Sequence, residues 1–464
     1  MARKPNRNQR RKHVKPLPRG EFAAHIESLT LEGRGVAHVD GKATFIARAL
    51  PGEEVRFVYR DRRRHFDLGD AVAVDTPSPE RIEPGCPHFH ACGGCAMQHL
   101  APEAQMAHKQ QALLDQLSRI GRVEPEQVLA PLTGPIWGYR RMARLGVRYV
   151  GKKGRALVGF RELASALIAD IDTCLVLDPR VGEKLPAIAD LIAGLDARRD
   201  IPQIEVGCGD AHCALAFRHM VPLGEADRAR LDAFADEHGF AIFLQPGGPE
   251  TLAPLSGGDR DVYPSYRLGE FDVEIRFSPL DFVQVNAEIN QRMVHQALDW
   301  LAVEPGDRVL DLFAGLGNFS LPLARRAGAT GTVTAVEADE AMVERGAAAA
   351  RANGLGNTRH VVGNLFEPDA AQGWPHESFD RVLLDPPRAG AEAMVPVIAR
   401  MKPARVVYVS CHPGSLARDV GRLVNDHGWR LLAAGVMDMF PHTAHVESMV
   451  VLEPGVTRRK RARQ

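Results

Sequence analysis

The sequence predicts a multidomain α/β protein. It divides into a small N-terminal β-barrel of OB-like type, a central α+β domain, and a C-terminal Rossmann-like domain with a seven-stranded sheet. Short alternating strands crowd residues 21–77, strand and helix alternate regularly from residue 287, and the stretch between follows neither pattern. A length of 464 residues also exceeds one ordinary core.

The ends of the chain are basic. Residues 1–20 carry eight Lys or Arg and no acid, and "RRKRARQ" at 458–464 carries five more. Because the whole chain balances 58 basic against 58 acidic residues, the body between the tails is acidic. Tails of this kind at 1–20 and 455–464 are predicted to be disordered and point to a polyanionic partner, nucleic acid before a purely solubilising role. No apolar run reaches the roughly 18 residues of a membrane span. The N-terminus has no signal-like apolar segment, so a cytoplasmic protein without membrane contact is expected.

Residues 21–77 break into "FAAHIESLT", "GVAHVD", "ATFIARAL", "EEVRFVYR" and "DLGDAVAVDTP", which suits a small barrel. Phe45, Phe57, Tyr59 and the run "RDRRR" offer rings and cations for an oligonucleotide, and equally suit a core with a solvated charge run. The Pro-rich "TPSPERIEPG" (76–85) reads as a linker. The domain from 78 to 277 then opens with Cys86, Cys92 and Cys95, spaced C-x5-C-x2-C, and a helix-period stretch over 103–121. Seven cysteines in a chain of this length do not suggest a disulfide scaffold, and three within ten residues point to a metal or cluster. "YRRMARLGV" adds Arg140, Arg141 and Arg144 as candidate phosphate contacts, with a solvated basic face as the alternative.

From 278 to 454 the candidate strands are "DRVLDLF", "GTVTAVEA", "TRHVVGNLF", "DRVLLD", "ARVVYVS", "WRLLAAGVMDMF" and "VESMVVLE", with helical segments between all but the last two. The pattern predicts a parallel doubly wound sheet with one antiparallel strand near the end. Its first strand runs into "VLDLFAGLGNFS", where Gly315 and Gly317 permit a tight turn before a helix. Glu337 ends the second strand, where a carboxylate can accept from ribose hydroxyls; Asn364 follows the third, and Asp385 ends the fourth. This ordered set resembles the S-adenosylmethionine-dependent methyltransferases. In members that act on exocyclic amines an aromatic residue follows Asp-Pro-Pro. Arg388 stands there in this chain and argues against an amine target.

Carbon 5 of uracil is a weak nucleophile. A thiolate adding to carbon 6 activates it, and a base must then remove the carbon-5 proton. Cys411 ends the fifth strand and precedes a helix whose N-terminus is expected to favour a thiolate. "FPHTAHVESMVVLE" offers Glu447 as base, together with His442 and His445.

"LDFVQVN", "DLFAGLGNFS", "LLDPPRAG", "YVSCHPGSLARD" and "FPHTAHVE" resemble the RNA uracil-C5 methyltransferases, and "CPHFHACGGCAMQHL" resembles their iron–sulfur branch. The N-terminal segment resembles a TRAM domain, and the layout is similar to that of members acting on 23S ribosomal RNA. The resemblance implies Cys411 as nucleophile and Glu447 as base. It further implies Gln284, Phe313, Asn318, Glu337, Asn364 and Asp385 as residues binding S-adenosylmethionine. It selects Cys86, Cys92, Cys95 and Cys174 as ligands of a [4Fe–4S] cluster, with Cys208 and Cys213 left as ordinary thiols. His88 and His90 keep structural zinc as the alternative. The family has Asn or Asp where this chain has His412. A monomer acting on 23S ribosomal RNA is expected; a transfer RNA, another ribosomal uridine, or a non-catalytic RNA-binding role are the alternatives.

Overall fold

The structure, a computed structural model, describes residues 17–163, 165–255, 262–368 and 373–455. Most of both basic tails therefore lies outside the described residues. The chain forms two compact units: one comprises the residues through Gly85 with 95–105 and 442–444, and the other holds the remainder.

In the first unit, alternation of apolar and polar residues produces six strands: β1 (Phe22–His25), β2 (Ser28–Leu29), β3 (Arg34–Val39), β4 (Lys42–Ala47), β5 (Glu54–Arg62) and β6 (Asp67–Thr76). They form one sheet in the order β1-β5-β6-β4-β3-β2, antiparallel except for the β4–β6 pair. Its core is Ile26, Ile46, Val55 and Phe57. Phe57 is thus a core ring. Gly69 lets it sit there, since a Cβ at that glycine would lie 2.6 Å from the ring. Tyr59 and Phe45 are half-buried, Tyr59 under Arg62 and Phe45 against Phe66. The Pro-rich stretch is not a free linker. Buried Glu53 accepts from the N–H groups of Leu50 (2.8 Å) and Ser78 (3.0 Å) and from Arg81 (2.5 Å). One buried carboxylate needs those partners, and proline content carries no trace of it.

The second unit contains two large sheets. Helix α1 (Pro102–Gln116) passes into one π-helical turn, Leu117–Gly121, and then β7 (Gln127–Val128). The central sheet is built from β8 (Met142–Val150), β9 (Arg155–Gly159), β10 (Gln203–Cys208), β11 (Cys213–Arg218), β12 (Phe240–Gln245) and β13 (Ala253–Pro254). Between them lie α2 (Pro179–Gly182), α3 (Leu185–Gly194) and α4 (Glu225–His238). The strand order is β13-β12-β11-β10-β8-β9, and α3 packs Ile188 and Ile192 into its core. Cys208 and Cys213 face each other in the β10–β11 register and are joined as a disulfide, which corrects the expectation of two free thiols. Cross-strand pairing across a short hairpin turn makes them neighbours; sequence spacing alone did not.

After a small hairpin, β14 (Ser265–Leu268) and β15 (Val273–Arg276), come α5 (Ala287–Leu301), β16 (Arg308–Leu312), α6 (Ser320–Ala327), β17 (Thr332–Glu337), α7 (Glu340–Ala352) and β18 (Thr358–Val362). The remaining elements are β19 (Arg381–Leu384), α8 (Val395–Met401), β20 (Arg405–Ser410), α9 (Pro413–His427), β21 (Trp429–Met437) and β22 (Glu447–Pro454). All seven expected strands form. The sheet runs β18-β17-β16-β19-β20-β22-β21-β7, so it has eight strands where seven were predicted. The extra one, β7, is two residues long and pairs parallel with β21, too short for any periodic signal. Only β22 runs antiparallel, between β20 and β21. Between β18 and β19 the described residues contain only a 3-10 turn, Trp374–His376, where a helical segment was expected.

Helix α9 illustrates how sequence dictates an element here. Pro413 occupies its first turn, where a missing N–H costs nothing. Leu416, Val420 and Leu423 line its buried face. Gly428 ends it in a left-handed conformation, φ 71°.

Candidate active site

The register of the C-terminal sheet brings the expected chemistry together. Ser410, the last residue of β20, pairs with Ser448 of β22. In an antiparallel pair the next positions outward are Cys411 and Glu447, so these two stand opposite each other. On the other side of β20, Leu384 of β19 pairs with Tyr408, and Asp385 follows it at the same sheet edge. One thiol and two carboxylates thus meet at the ends of three adjacent strands.

Electrostatics at this edge differ from the sequence expectation. Burial, reinforced by Glu447 and Asp385, pushes the Cys411 thiol up to about 11, against an opposing pull from Arg388. The helix N-terminus behind Cys411 does not win. Glu447 is buried, and burial followed by Asp385 holds its carboxyl well above the ordinary range. Burial also lifts Asp385 to about 7, opposed by the Gln284 amide, which donates to it at 3.2 Å. Each acid therefore holds protons more tightly than it would in water.

The other two base candidates are held locally. His442 has a left-handed backbone, φ 64°, and its N–H donates to Gln105 Oε1 at 3.0 Å. His445 packs against Phe440, and burial with three nearby cations keeps it below the ordinary imidazole range.

The turn after β16 is shaped for a ligand. Phe313, Gly315 and Gly317 all take positive φ, which is costly at Phe313 and free at the glycines. A Cβ at Gly315 would meet nothing within 4 Å, leaving open space above the turn. Glu337 Oε2 accepts from the Gly315 N–H at 3.1 Å, while Oε1 accepts from Ala338 and Asp339 N–H. Asp311 beneath the turn accepts from Ser320 Oγ, and burial pushes its carboxyl up to about 7. Its second oxygen, Oδ1, is buried with no hydrogen-bond partner among the described residues. That orphaned acceptor, the open space and the Glu337 carboxylate suit a cationic nucleoside such as S-adenosylmethionine.

Asn318 is already engaged by the protein. Its amide exchanges two 2.9 Å hydrogen bonds with Asn290, and Tyr266 Oη donates to its Oδ1 at 2.9 Å. It anchors the turn through its side chain. Asn290 and Tyr266 carry no motif, so sequence reasoning missed them. Asn364 Oδ1 accepts from the Phe366 N–H at 3.0 Å, and Phe366 lies edge-on to Phe313 at 5.9 Å. Of the three candidate arginines, Arg141 is buried over the Tyr266 ring at 4.9 Å, so it is no surface phosphate contact. Arg144 pairs with Glu205, and Arg140 Nε donates to the Met142 carbonyl.

His412 takes the place of a conventional cap. It is the N-cap of α9, and its Nδ1 accepts from the Ser415 N–H at 3.1 Å. An Asn or Asp oxygen performs the same service, which accounts for the substitution.

The cysteine-rich loop folds around its glycines. Gly93 N–H donates to the Arg161 carbonyl at 2.8 Å, and a Cβ there would come within 3.1 Å of that oxygen. Gly94 N–H points at Cys92 Sγ, 3.4 Å away, and a Cβ at Gly182 would collide with the Cys174 carbonyl at 2.3 Å. Cys86, Cys92, Cys95 and Cys174 are all half-buried and outside any disulfide. Burial raises the thiols of Cys92 and Cys174, with further contributions from neighbouring thiols of this group. Close-packed glycines and half-buried thiols outside any disulfide fit a bound inorganic group. His88 Nε2 instead bonds Asp172 at 2.6 Å.

Comparison with known proteins identifies the family. Residues 375–454 match the tRNA (uracil-5-)-methyltransferase family model, and 309–402 match a methyltransferase-domain model. The solved structure of the Pyrococcus abyssi tRNA (uracil-54, C5)-methyltransferase with S-adenosyl-L-homocysteine shares the fold, with a TM-score of 0.68 at 24% identity. The match covers 93% of this chain and all of that one. A 23S rRNA (uracil(1939)-C(5))-methyltransferase from Alkalilimnicola ehrlichii is 54% identical over 94% of this chain and 97% of its own length. The enzyme of the same description from Methylococcus capsulatus is 49% identical over 95% and 98%. With identity of that order across nearly its whole length, the chain belongs to the 23S rRNA (uracil(1939)-C(5))-methyltransferase family.

Proposed function

We propose that this protein methylates carbon 5 of a uridine in 23S ribosomal RNA, the position numbered 1939 in its relatives' names, using Cys411 as nucleophile and Glu447 as base. The observation that carries the reading is the β20–β22 register, which sets Cys411 opposite Glu447 at the edge shared with Asp385. Bound S-adenosylmethionine supplies an electrophilic methyl group on a sulfonium cation. Phe313, Glu337, Asn364, Asp385 and Gln284 hold and orient it, with Asn318 fixing the turn.

Cys411 Sγ, as thiolate, bonds to carbon 6 of the uracil, and the displaced electron pair moves to the ring as an enolate. Carbon 5 then takes the methyl group, and S-adenosylhomocysteine leaves. Glu447 removes the carbon-5 proton, the ring double bond re-forms, and the carbon–sulfur bond breaks to return the thiolate. A carboxyl held well above its ordinary range is a stronger base than a solvated glutamate. The reacting carbon is closed off inside stacked RNA, so the uridine is extruded to reach it.

The TRAM-like sheet and the basic tails provide further RNA contact, and the chain acts as a monomer in the cytoplasm. Cys86, Cys92, Cys95 and Cys174 hold a [4Fe–4S] cluster with a structural role, since no step above transfers an electron. Visible absorption of anaerobically purified protein separates that cluster from zinc. For the reaction, 5-fluorouridine placed in a 23S fragment traps a covalent adduct, because fluorine cannot leave as a proton. A fully active protein that traps nothing, or trapping that survives Cys411→Ala, overturns the mechanism.

A further inference from the structure

We propose that His412 is a positioning residue for this reaction: its neutral imidazole holds Cys411 at the sheet edge by capping α9, and protonation of the imidazole releases that hold. The inference rests on Cys411 being the nucleophile. Cys411 lies between two pinned neighbours. On one side, the Ser410 carbonyl accepts from Ser448 Oγ at 3.0 Å, which ties β20 to the strand that bears Glu447. On the other, the His412 N–H donates to Ser410 Oγ at 3.1 Å, and His412 Nδ1 accepts from the Ser415 N–H at 3.1 Å. Ser415 Oγ lies 3.0 Å from the Arg388 carbonyl and 3.1 Å from His412 Nδ1, joining the turn after β19 to the same cap.

Ser, Thr, Asn and Asp caps keep their acceptor oxygen throughout the neutral range. An imidazole does not, because a proton on Nδ1 sets one N–H against another and orphans the Ser415 donor. The groups facing His412 oppose that proton. Arg388 comes from the turn after β19, and Arg418 comes from α9, where it pairs with Asp419. The helix N-terminus adds partial positive charge, and Gln116 of α1 contributes only a neutral amide nearby. Burial first, and then Arg388 and Arg418, hold the imidazole below its ordinary range. His412 therefore works as a neutral acceptor and not as a cationic partner of the thiolate.

The test compares the pH dependence of methylation for the full-length wild type, His412→Asn and His412→Ala. As pH falls below the ordinary imidazole range the wild type should lose rate more steeply than the Asn variant, whose cap cannot titrate. The ratio of rates at pH 8 and pH 5.5 should differ between them by about fivefold or more, the scale of a lost cap. At pH 8 the Ala variant should already be about fivefold slower than the Asn variant. Thermal unfolding at pH 8 reports whether the Ala protein is folded, and if it is not, the wild-type-to-Asn ratio decides alone. Identical profiles for wild type and Asn overturn the inference. Adduct formation on 5-fluorouridine RNA is followed in the same samples. A wild type that forms no adduct removes the nucleophile and this inference together. An adduct whose formation shares one pH profile in wild type and Asn removes only the role of His412.

Discussion

Two regions of this molecule hold half-buried cysteines, the edge of the eight-stranded sheet and the glycine-rich loop with Cys174. Burial raises the thiol of Cys411, and also those of Cys92 and Cys174. What separates them is company. Cys411 faces Glu447 and Asp385, which can move protons, and Arg388, which favours negative charge. Cys92 and Cys174 face other thiols, and backbone N–H groups point at them. A raised thiol is therefore no signature of reactivity by itself. Acid–base partners within reach make one site suited to covalent chemistry, and a pack of thiols makes the other suited to an inorganic group.

The comparison breaks most sharply at Cys411. Cys411→Ala should lower methylation at least about a thousandfold and abolish the 5-fluorouridine adduct, because the proposed mechanism runs through its thiolate. Glu447→Gln should cost about a hundredfold to ten-thousandfold yet let the protein–RNA adduct accumulate on ordinary uridine, since proton removal is blocked after the carbon–sulfur bond has formed. Both acids and the thiol are held high, so the wild-type rate should climb as pH rises from 7 toward 9. Rising pH increases the thiolate and the ionised carboxylates together. Denaturing gels for the adduct and initial rates across that range check all three outcomes.

The cysteine loop should respond differently. On the proposed cluster, Cys92→Ala should remove the visible absorption that the cluster gives and lower the unfolding temperature, while methylation at low temperature falls far less than in Cys411→Ala. Equal losses of activity in the two variants would erase the distinction between the regions.

Much of the sheet was legible because each strand carries its own β-branched alternation, from "DRVLDLF" to "VESMVVLE". Cys411, Glu447 and Asp385 were legible because they stand at strand ends, and the register then determines what they meet. What escaped depends on pairings between distant residues. β7 is two residues beside β21, Asn290 and Tyr266 are ordinary until they converge on Asn318, and Glu53 reaches Arg81 across 28 positions. The sign of the Cys411 shift also escaped, since the helix behind it is local while burial, and then the acids from two other strands, depend on the tertiary packing.

Within the sheet edge, smaller changes separate cofactor contact from support. Glu337→Ala removes a carboxylate that now accepts three backbone N–H groups and would accept ribose hydroxyls. It should raise the KM for S-adenosylmethionine about tenfold or more, the scale of charged hydrogen bonds, with a smaller change in kcat.

Tyr266→Phe should have the least effect, for a reason visible in its contacts. The change deletes one donor to Asn318 Oδ1, but that oxygen still accepts from Asn290 Nδ2, so no buried acceptor is orphaned. The ring under Arg141 also stays, preserving the 4.9 Å contact with a guanidinium whose Nε and Nη1 have no hydrogen-bond partner. The expected cost is about 1 kcal/mol, read as a rise of about fivefold in KM for the cofactor. Tyr266→Leu deletes the ring as well and leaves that buried cation without its π partner, so it should cost measurably more in thermal stability. If Phe and Leu behave alike, the ring contributes nothing and the turn at Asn318 is held by Asn290 alone.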